Sequence, residues 1–219
     1  LPPDAARILA FDTSAAHCAA ALLSGGTVLA TRSEEMDRGQ AERLFPLLEE
    51  VLAEGGLGWR DLDAVAVGTG PGNFTGIRIA VAAARGLALS LSRPAIGVSG
   101  FEALAEAAPG PVLASIDARR GMVHLQLLDG EQAAAPVTAP LDALPPLPGA
   151  AGAACIGHEA GAVAAVLGAR AAAPRLPVAQ AIAQVAARRR DRPQPRPAPL
   201  YLRGADAAPA SDQPPVILP

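Results

Sequence analysis

Two segments of this chain can be laid over one another without a gap, and that recurrence constrains its fold more than any other feature. Ile8–Phe11 is a short apolar run that ends at Asp12 and a polar turn, and Val112–Ile116 runs the same way into Asp117. With Asp12 set on Asp117, Leu22 and Leu23 fall on Leu127 and Leu128, and Gly25 falls on Gly130. Each segment reads as apolar strand, aspartate, polar turn, apolar strand, glycine. The spacing favours a duplication over two unrelated hairpins.

The rest of the chain fits that reading. Strands are expected over 8–11, 18–23 and 27–31, with Ser24-Gly25-Gly26 as a hairpin turn. A helix is expected over Gln40–Glu54, where Leu44, Leu47, Leu48, Val51 and Leu52 recur at helical spacing, stopped by Gly55-Gly56. Pro46 conflicts with it, so it should sit in the first turn or kink the helix at a cost of about 3 kcal/mol. A strand over 64–67, a glycine-rich loop, a helix over 75–90, a strand over 95–98 and a helix over 101–107 follow. The order β-β-β-α-β-α-β-α then restarts at 112–116 and 122–128. Pro136–Ala154 reads as loop, 154–157 as strand, 159–167 and 178–189 as helices. From Pro193 the chain reads as irregular, with Leu200–Arg203 as a docked patch. The expected division is an N-terminal lobe over 1–108, a reduced C-terminal lobe over 109–207 and a tail over 208–219. A duplicated α/β domain that begins with a hairpin around an aspartate is the layout of the actin/hexokinase/Hsp70-type (ASKHA) fold. In that fold the two hairpin turns face each other across a cleft and hold nucleotide phosphates.

Composition removes several chemistries. Of 219 residues, 51% are hydrophobic and 18% charged, which is a globular balance. All 18 basic residues are arginine, so no Schiff-base lysine, lysine base or P-loop lysine exists. A net charge of −3 argues against the whole chain acting as an electrostatic nucleic-acid binder. Cys18 and Cys155 provide neither a disulfide framework nor zinc spacing and fit a reducing cytosol. Leu1–Arg7 lacks the layout of a signal peptide, and no uninterrupted apolar run has membrane-spanning length. A cytoplasmic protein with no membrane partner is expected.

The loop Gly68-Thr69-Gly70-Pro71-Gly72-Asn73-Phe74-Thr75-Gly76 lies between a strand and a helix, where anions meet free N–H groups. It is not a Walker loop, which needs lysine. It is not a Rossmann fingerprint either, since Asn73 or Thr75 stands where the third glycine belongs. Gly70, Pro71, Gly72, Phe74, Thr75 and Gly76 therefore read as a structural turn, capped by Asn73 or Thr75. Asp12, Thr13, Ser14 and Asp117 stand where an ATP-using member of the fold would organise phosphates and Mg²⁺. Here no glycine follows Asp12 to let a phosphate approach, so turn-capping is the stronger reading and these four are at most remnants of a nucleotide cleft. His17, His124 and His158 share no ligand spacing, and Ser99 in Gly97-Val98-Ser99-Gly100 falls one residue short of a nucleophile elbow. No catalytic or metal residue is expected. Arg188-Arg189-Arg190-Asp191-Arg192 suits a solvated helix C-terminus, with a tRNA-backbone contact as the alternative.

The helix over 75–90 is apolar nearly all round. Ile77, Ala80, Val81, Ala84 and Leu87 make one face, and Ile79, Ala82, Ala83 and Gly86 make another, with Arg78 and Arg85 aligned. Such a helix needs cover on both sides. The sequence predicts a subunit interface on the two N-terminal helices, formed by Leu44, Leu47, Leu48, Val51, Arg78, Ile79, Ala82, Ala83 and Gly86. The alternative is an internal helix pair in one core.

ILAFDTS at Ile8–Ser14, RGQAERLFPLL at Arg38–Leu48, DLDAVAVGTGPGNFTGIRI at Asp61–Ile79, GVSGFEALA at Gly97–Ala105, SIDARRGMVHLQLL at Ser115–Leu128 and PLYLRGADA at Pro199–Ala207 resemble, in order and spacing, the TsaB (YeaZ-type) family. Gln40 stands where many members have histidine. The stretch 136–154 and the tail after Ala207 match little. The resemblance implies an actin-like fold with a degenerate cleft and a non-catalytic subunit of the machinery that adds threonylcarbamoyl to adenosine in tRNA. It further implies binding to the catalytic paralogue TsaD through the two N-lobe helices, a TsaE-type ATPase as third member, and self-pairing by the same surface. It implies contact with tRNA only through the complex, and no cofactor of its own, any nucleotide being held at the partner interface. TsaD carries a His-x-x-x-His metal pair, whereas this chain has Arg38-Gly39-Gln40-Ala41-Glu42 at the comparable helix start. The alternatives are a glycoprotease-like peptidase, which lacks a metal pair here, and an ATP-dependent kinase of the same fold, which lacks a phosphate loop.

Overall fold

A computed structural model describes residues 6–202; the expected tail over 208–219 and Arg203 of the docked patch lie outside them. The chain opens with β1 (Arg7–Asp12), β2 (His17–Ser24) and β3 (Thr27–Glu35), followed by α1 (Gln40–Glu54), β4 (Ala64–Gly68), α2 (Phe74–Leu91), β5 (Ala95–Val98) and α3 (Gly100–Ala105). The second half runs β6 (Val112–Asp117), β7 (Met122–Asp129), β8 (Gln132–Ala133), β9 (Val137–Pro140), β10 (Ala154–Gly157), α4 (Ala160–Leu167), β11 (Arg170–Ala172) and α5 (Val178–Arg189).

The first sheet has the order β3-β2-β1-β4-β5, and the second repeats it as β8-β7-β6-β10-β11, with β9 pairing the same edge of β7. In the first, β1 pairs antiparallel with β2 and parallel with β4, and in the second β6 pairs antiparallel with β7 and parallel with β10. This is the duplicated ASKHA architecture with a reduced second lobe. The reduction is local: where the first lobe places α1, the second has no helix between β9 and β10.

Each sheet is covered on two faces. Leu9, Phe11, Leu22, Val65 and Val67 of the first sheet meet Leu44, Leu47, Leu48 and Val51 of α1 and Ile77, Ala80 and Ala84 of α2. The opposite face, through Ile8, Ala10 and Ala66, packs on Ile182, Val185 and Ala186 of α5. The second sheet packs Val112, Ala114 and Ile156 against Phe101 of α3, and Leu113, Val123, Leu125 and Cys155 against Val163 of α4. The helices between the sheets are therefore exchanged, since α5 covers the first sheet and α3 the second. Neither half closes its own core.

Three local expectations are corrected. Pro46 lies within α1 beyond its first turn, yet the helix runs unbroken from Gln40 to Glu54. Pro46 is exposed, on the side of the helix where a carbonyl that loses its partner is open to solvent. Part of Pro136–Ala154 is strand, because β9 pairs with β7 and ends at Pro140, a position that an edge strand tolerates. The gapless overlay of the two hairpins also fails by one residue. Asp12 stands opposite Ala19 whereas Asp117 stands opposite Val123, so the second hairpin is one residue shorter around its turn.

Candidate functional site

The register slip decides what the two aspartates can do. Directly opposed residues of a hairpin share a face, and a one-residue slip reverses it. Ala19, opposite Asp12, packs on Ala179 of α5 between the sheets. Val123, opposite Asp117, packs on the outer α4 side. The structure does not bring Asp12 and Asp117 to equivalent sides of one cleft.

Asp12 is 1% exposed and fully engaged. Its Oδ2 accepts from the Ser14 amide at 3.1 Å and the Ser14 hydroxyl at 2.8 Å, and lies 2.6 Å from His17 Nε2. Thr13, also buried, donates its hydroxyl to the Gly76 carbonyl at 2.7 Å. The glycine-rich loop presses on this turn. The Asn73 amide donates to the Ser14 carbonyl at 2.6 Å. A Cβ at Gly76 would stand 1.8 Å from the Thr13 carbonyl oxygen, one at Gly72 2.2 Å from that of Ser14, and one at Gly68 1.9 Å from Asp12 Oδ1. Gly72 and Gly76 let two backbones touch, and Gly68 makes room for the Asp12 carboxylate. The α2 N-terminus is closed as well: Asn73 is its N-cap, and its side chain accepts from the amides of Thr75 and Gly76. Pro71 lies buried beside Gly70.

The second turn is looser. Asp117 accepts from the Arg119 amide at 2.8 Å, and its side chain is 38% exposed beside His158 at 3.9 Å. His124 Nδ1 lies 2.8 Å from the Thr138 hydroxyl. His17, His124 and His158 thus have three separate neighbourhoods. Burial pushes the Cys18 and Cys155 thiols up to about 11, with Glu34 adding to the effect at Cys18, so neither is a reactive thiolate.

The arginines of the run each have an acidic neighbour. Arg188 pairs with Glu106, Arg189 with Glu102, Arg190 with Asp191 at 3.1 Å, and Arg192 with Glu131 at 3.3 Å. Two of these pairs tie α5 to α3. Glu102 also completes a capping box with Ser99 at the start of α3. Burial raises the Glu102 carboxyl, but hydrogen bonds from Arg189 and Ser99 outweigh it and hold the group below the usual carboxylate range.

The predicted interface residues divide in two. Leu44, Leu47, Leu48 and Val51 are wholly buried against the first sheet, so they present nothing to a partner. Their i, i+3, i+4, i+7 spacing is the core stripe of α1, and the outward residue of that helix is Phe45, 44% exposed, which the sequence reading did not select. On α2 the core stripe is Ile77, Ala80, Val81 and Ala84. Ile79 and Ala83 are half-buried at its flank, whereas Phe74, Arg78, Ala82, Arg85, Gly86 and Leu89 are exposed. Leu89 is 83% exposed and Phe74 42%. Of the five large apolar side chains most exposed among the described residues, Phe45, Phe74 and Leu89 lie on these two helices, and Tyr201 packs on Phe74 with ring centroids 5.1 Å apart. Between α1 and α2 a groove of about 570 Å³ is lined by Phe45, Trp59, Leu87 and Leu91. By length and composition α2 could cross a membrane, but its buried stripe is committed to the sheet.

The exposed apolar side chains of α1 and α2 thus lie apart from the closed turn at Asp12. Comparison with known proteins agrees with a place in one family. Residues 27–136 match the family described as TsaD, tRNA N6-adenosine threonylcarbamoyltransferase. The chain is 42% identical over 123 residues to the tRNA threonylcarbamoyladenosine biosynthesis protein TsaB of Escherichia coli, covering 54% of this chain and 53% of that protein. It therefore spans about half the length of the curated TsaB relatives it matches. It is 34% identical over 205 residues to an uncharacterized protein of Mycobacterium bovis, covering 92% of this chain and 94% of the other. Among solved structures, YeaZ from Pseudomonas aeruginosa superposes with a TM-score of 0.71 at 31% identity, over 90% of this chain and all of that one.

Proposed function

Because the chain belongs to the TsaD threonylcarbamoyltransferase family, as a member of its TsaB (YeaZ) type, we propose that it serves tRNA threonylcarbamoyladenosine biosynthesis as a partner subunit without chemistry of its own. In this reading the exposed side of α1 and α2 binds a TsaD-type catalytic paralogue in the cytoplasm, a TsaE-type ATPase joins the pair, and tRNA is met only through the assembly. Alone, two copies of the chain use the same face. Any nucleotide is held at the partner interface, not in the chain's own cleft.

The observation that carries the reading is the exposed stripe of α2. Phe74, Arg78, Ala82 and Leu89 follow one another at helical spacing on the side away from the sheet, and on the other flank of α2 Leu87 and Leu91 line a groove with Phe45 of α1. Exposed large apolar side chains set around an arginine in this way suit an interaction site. The closed turn supports the same reading. The glycine loop, Thr13 and Ser14 hold one another by main-chain contacts, which leaves no cradle for a transferred phosphoryl group.

Co-purification with the TsaD-type protein of the same organism tests it. The wild-type chain is expected to form a complex, and Ala82→Glu, on the exposed stripe, to remain folded and lose it. Ala80→Glu, on the buried stripe, is expected to lose the fold itself. If no complex forms where the partner is demonstrably folded, or if folded Ala82→Glu binds like wild type, this face is not the docking surface.

A further inference from the structure

The last described residues of the chain return to α2. The Leu200 amide donates to the Thr69 carbonyl at 2.8 Å, and the Pro197 carbonyl accepts from Arg85 Nε at 2.7 Å. Leu200 and Leu202 pack into the cluster around Phe101. Tyr201, between them, is thereby set against the first turns of α2. Its hydroxyl accepts from Arg78 Nε at 2.8 Å, and the Arg78 guanidinium carbon lies 3.7 Å from the centroid of the Phe74 ring and 5.8 Å from that of Tyr201.

This arrangement fixes a guanidinium without using it up. Stacking on an aromatic face holds the plane of the group, and the tyrosine hydroxyl takes the Nε hydrogen. The Nη1 and Nη2 hydrogens, four of the five donors, point to no acceptor among the described residues. Phe74 and Tyr201 are 42% and 44% exposed, so the group stands at the surface. Its charge is also unopposed locally. Neither α2 nor the segment 192–202 contains an aspartate or glutamate. On α1 and β3, by contrast, Arg43 bonds Glu34 and Glu50, and Arg32 bonds Glu50 and Glu54. A planar fork with two parallel N–H directions is shaped for a carboxylate.

We propose that Phe74, Arg78 and Tyr201 form an anchor on the docking face that takes an aspartate or glutamate side chain of the partner protein, bidentate on the Arg78 Nη atoms. The proposal rests on the reading of α2 as the partner-binding face and adds the chemistry that the partner must bring to one end of it. The C-terminal segment then takes part in recognition, because Tyr201 holds the guanidinium in place.

The test is a titration of the purified chain with the TsaD-type partner in buffer free of nucleotide and phosphate, at low and high salt. Arg78→Glu should weaken binding by about tenfold or more. Arg78→Lys, which keeps the charge and loses the fork, should weaken it by about fivefold, and Tyr201→Phe by about twofold to threefold. The wild type should lose affinity with salt more steeply than Arg78→Gln. Exchanging the facing carboxylate of the partner for arginine should restore binding to Arg78→Glu. The anchor is overturned if Arg78→Glu and Arg78→Gln, both folded by circular dichroism, bind within twofold of wild type while Ala82→Glu does not bind. That result leaves the docking reading intact. It is equally overturned if dependence on Arg78 appears only when nucleotide is added, since the anion is then a phosphate. Wild-type binding by Ala82→Glu removes the docking reading itself.

Discussion

The two hairpin turns of this molecule descend from one pattern and have become different objects. The first is sealed: Asp12 is buried in a knot of bonds with Ser14 and His17, and the glycine loop lies on it backbone to backbone. The second is one residue shorter and half-exposed, with the Leu141 amide on its Gly121 carbonyl at 2.8 Å. A Cβ at Gly121 would meet no atom within 4 Å. The difference extends to the lobes. The first sheet carries two long helices on its outer face, one of which exposes a second apolar stripe, whereas the second sheet has the short α4 and an irregular segment there. An ASKHA cleft works by presenting two equivalent turns to one phosphate chain. Sealing one turn and reversing the face of the other departs from that arrangement, and the outer face of the first lobe carries the surface proposed for docking.

Glycine substitutions break the comparison most sharply. Gly76→Ala places a methyl group 1.8 Å from the Thr13 carbonyl, where both partners are backbone and neither can yield. The expected loss is about 3 kcal/mol, read as a fall in the urea midpoint. Gly121→Ala in the second turn meets no atom within 4 Å and has only its φ of +70° to contend with, so the expected loss is about 1 kcal/mol. Equal losses would mean that the first turn is no more tightly built than the second.

The contrast between the turns was only half visible in the sequence. The apolar runs place most strands and helices, with the bounds of α1, β5, β10 and α5 met at both ends, because each is a strong period flanked by glycine or proline. The slip between the hairpins was invisible, since aspartate, leucine and glycine line up equally well whether or not a turn is one residue longer. The three-residue β11, Arg170-Ala171-Ala172, is exposed throughout and has no pattern to read. Leu44, Leu47, Leu48 and Val51 were legible as one stripe but not as to which side it faces. Surplus leucine on a helix does not say which residues the sheet takes. The anchor at Tyr201 was beyond reach, because it depends on main-chain bonds of an irregular segment more than 100 residues away from its partner.

A smaller effect is expected where the halves are joined. Glu102 on α3 bonds Arg189 on α5 and caps its own helix through Ser99. Glu102→Ala should cost about 1–2 kcal/mol, and Glu102→Gln less. The pH profile separates the charge from the cap. The folded carboxyl titrates below the ordinary value, so the unfolded chain takes up the proton first as pH falls. The stabilisation is complete above the ordinary carboxylate range, near about 4.3, and is lost as pH drops through the depressed folded value. Urea melts between neutral pH and about pH 3 should show this component in the wild type and not in Glu102→Gln. An unchanged profile means that the bond between α3 and α5 contributes nothing to joining the lobes.

The smallest effect sharpens the comparison most finely. Leu89 on α2 and Val166 on α4 are exposed apolar residues on the outer helices of the two lobes, at 83% and 61%. Exposure alone is ordinary and needs no partner. Leu89 differs in its surroundings, since it continues the stripe through Phe74, Arg78 and Ala82, whereas Val166 stands by itself. Leu89→Glu and Val166→Glu should each leave the stability of the free chain within about 0.5 kcal/mol of wild type, since neither removes a core contact. Binding to the TsaD-type partner should then separate them. Leu89→Glu places a charge within the proposed interface and should weaken the complex, while Val166→Glu should bind as the wild type does. A loss of binding at Val166 would put the second lobe in the interface, and the division of labour between the lobes would no longer hold.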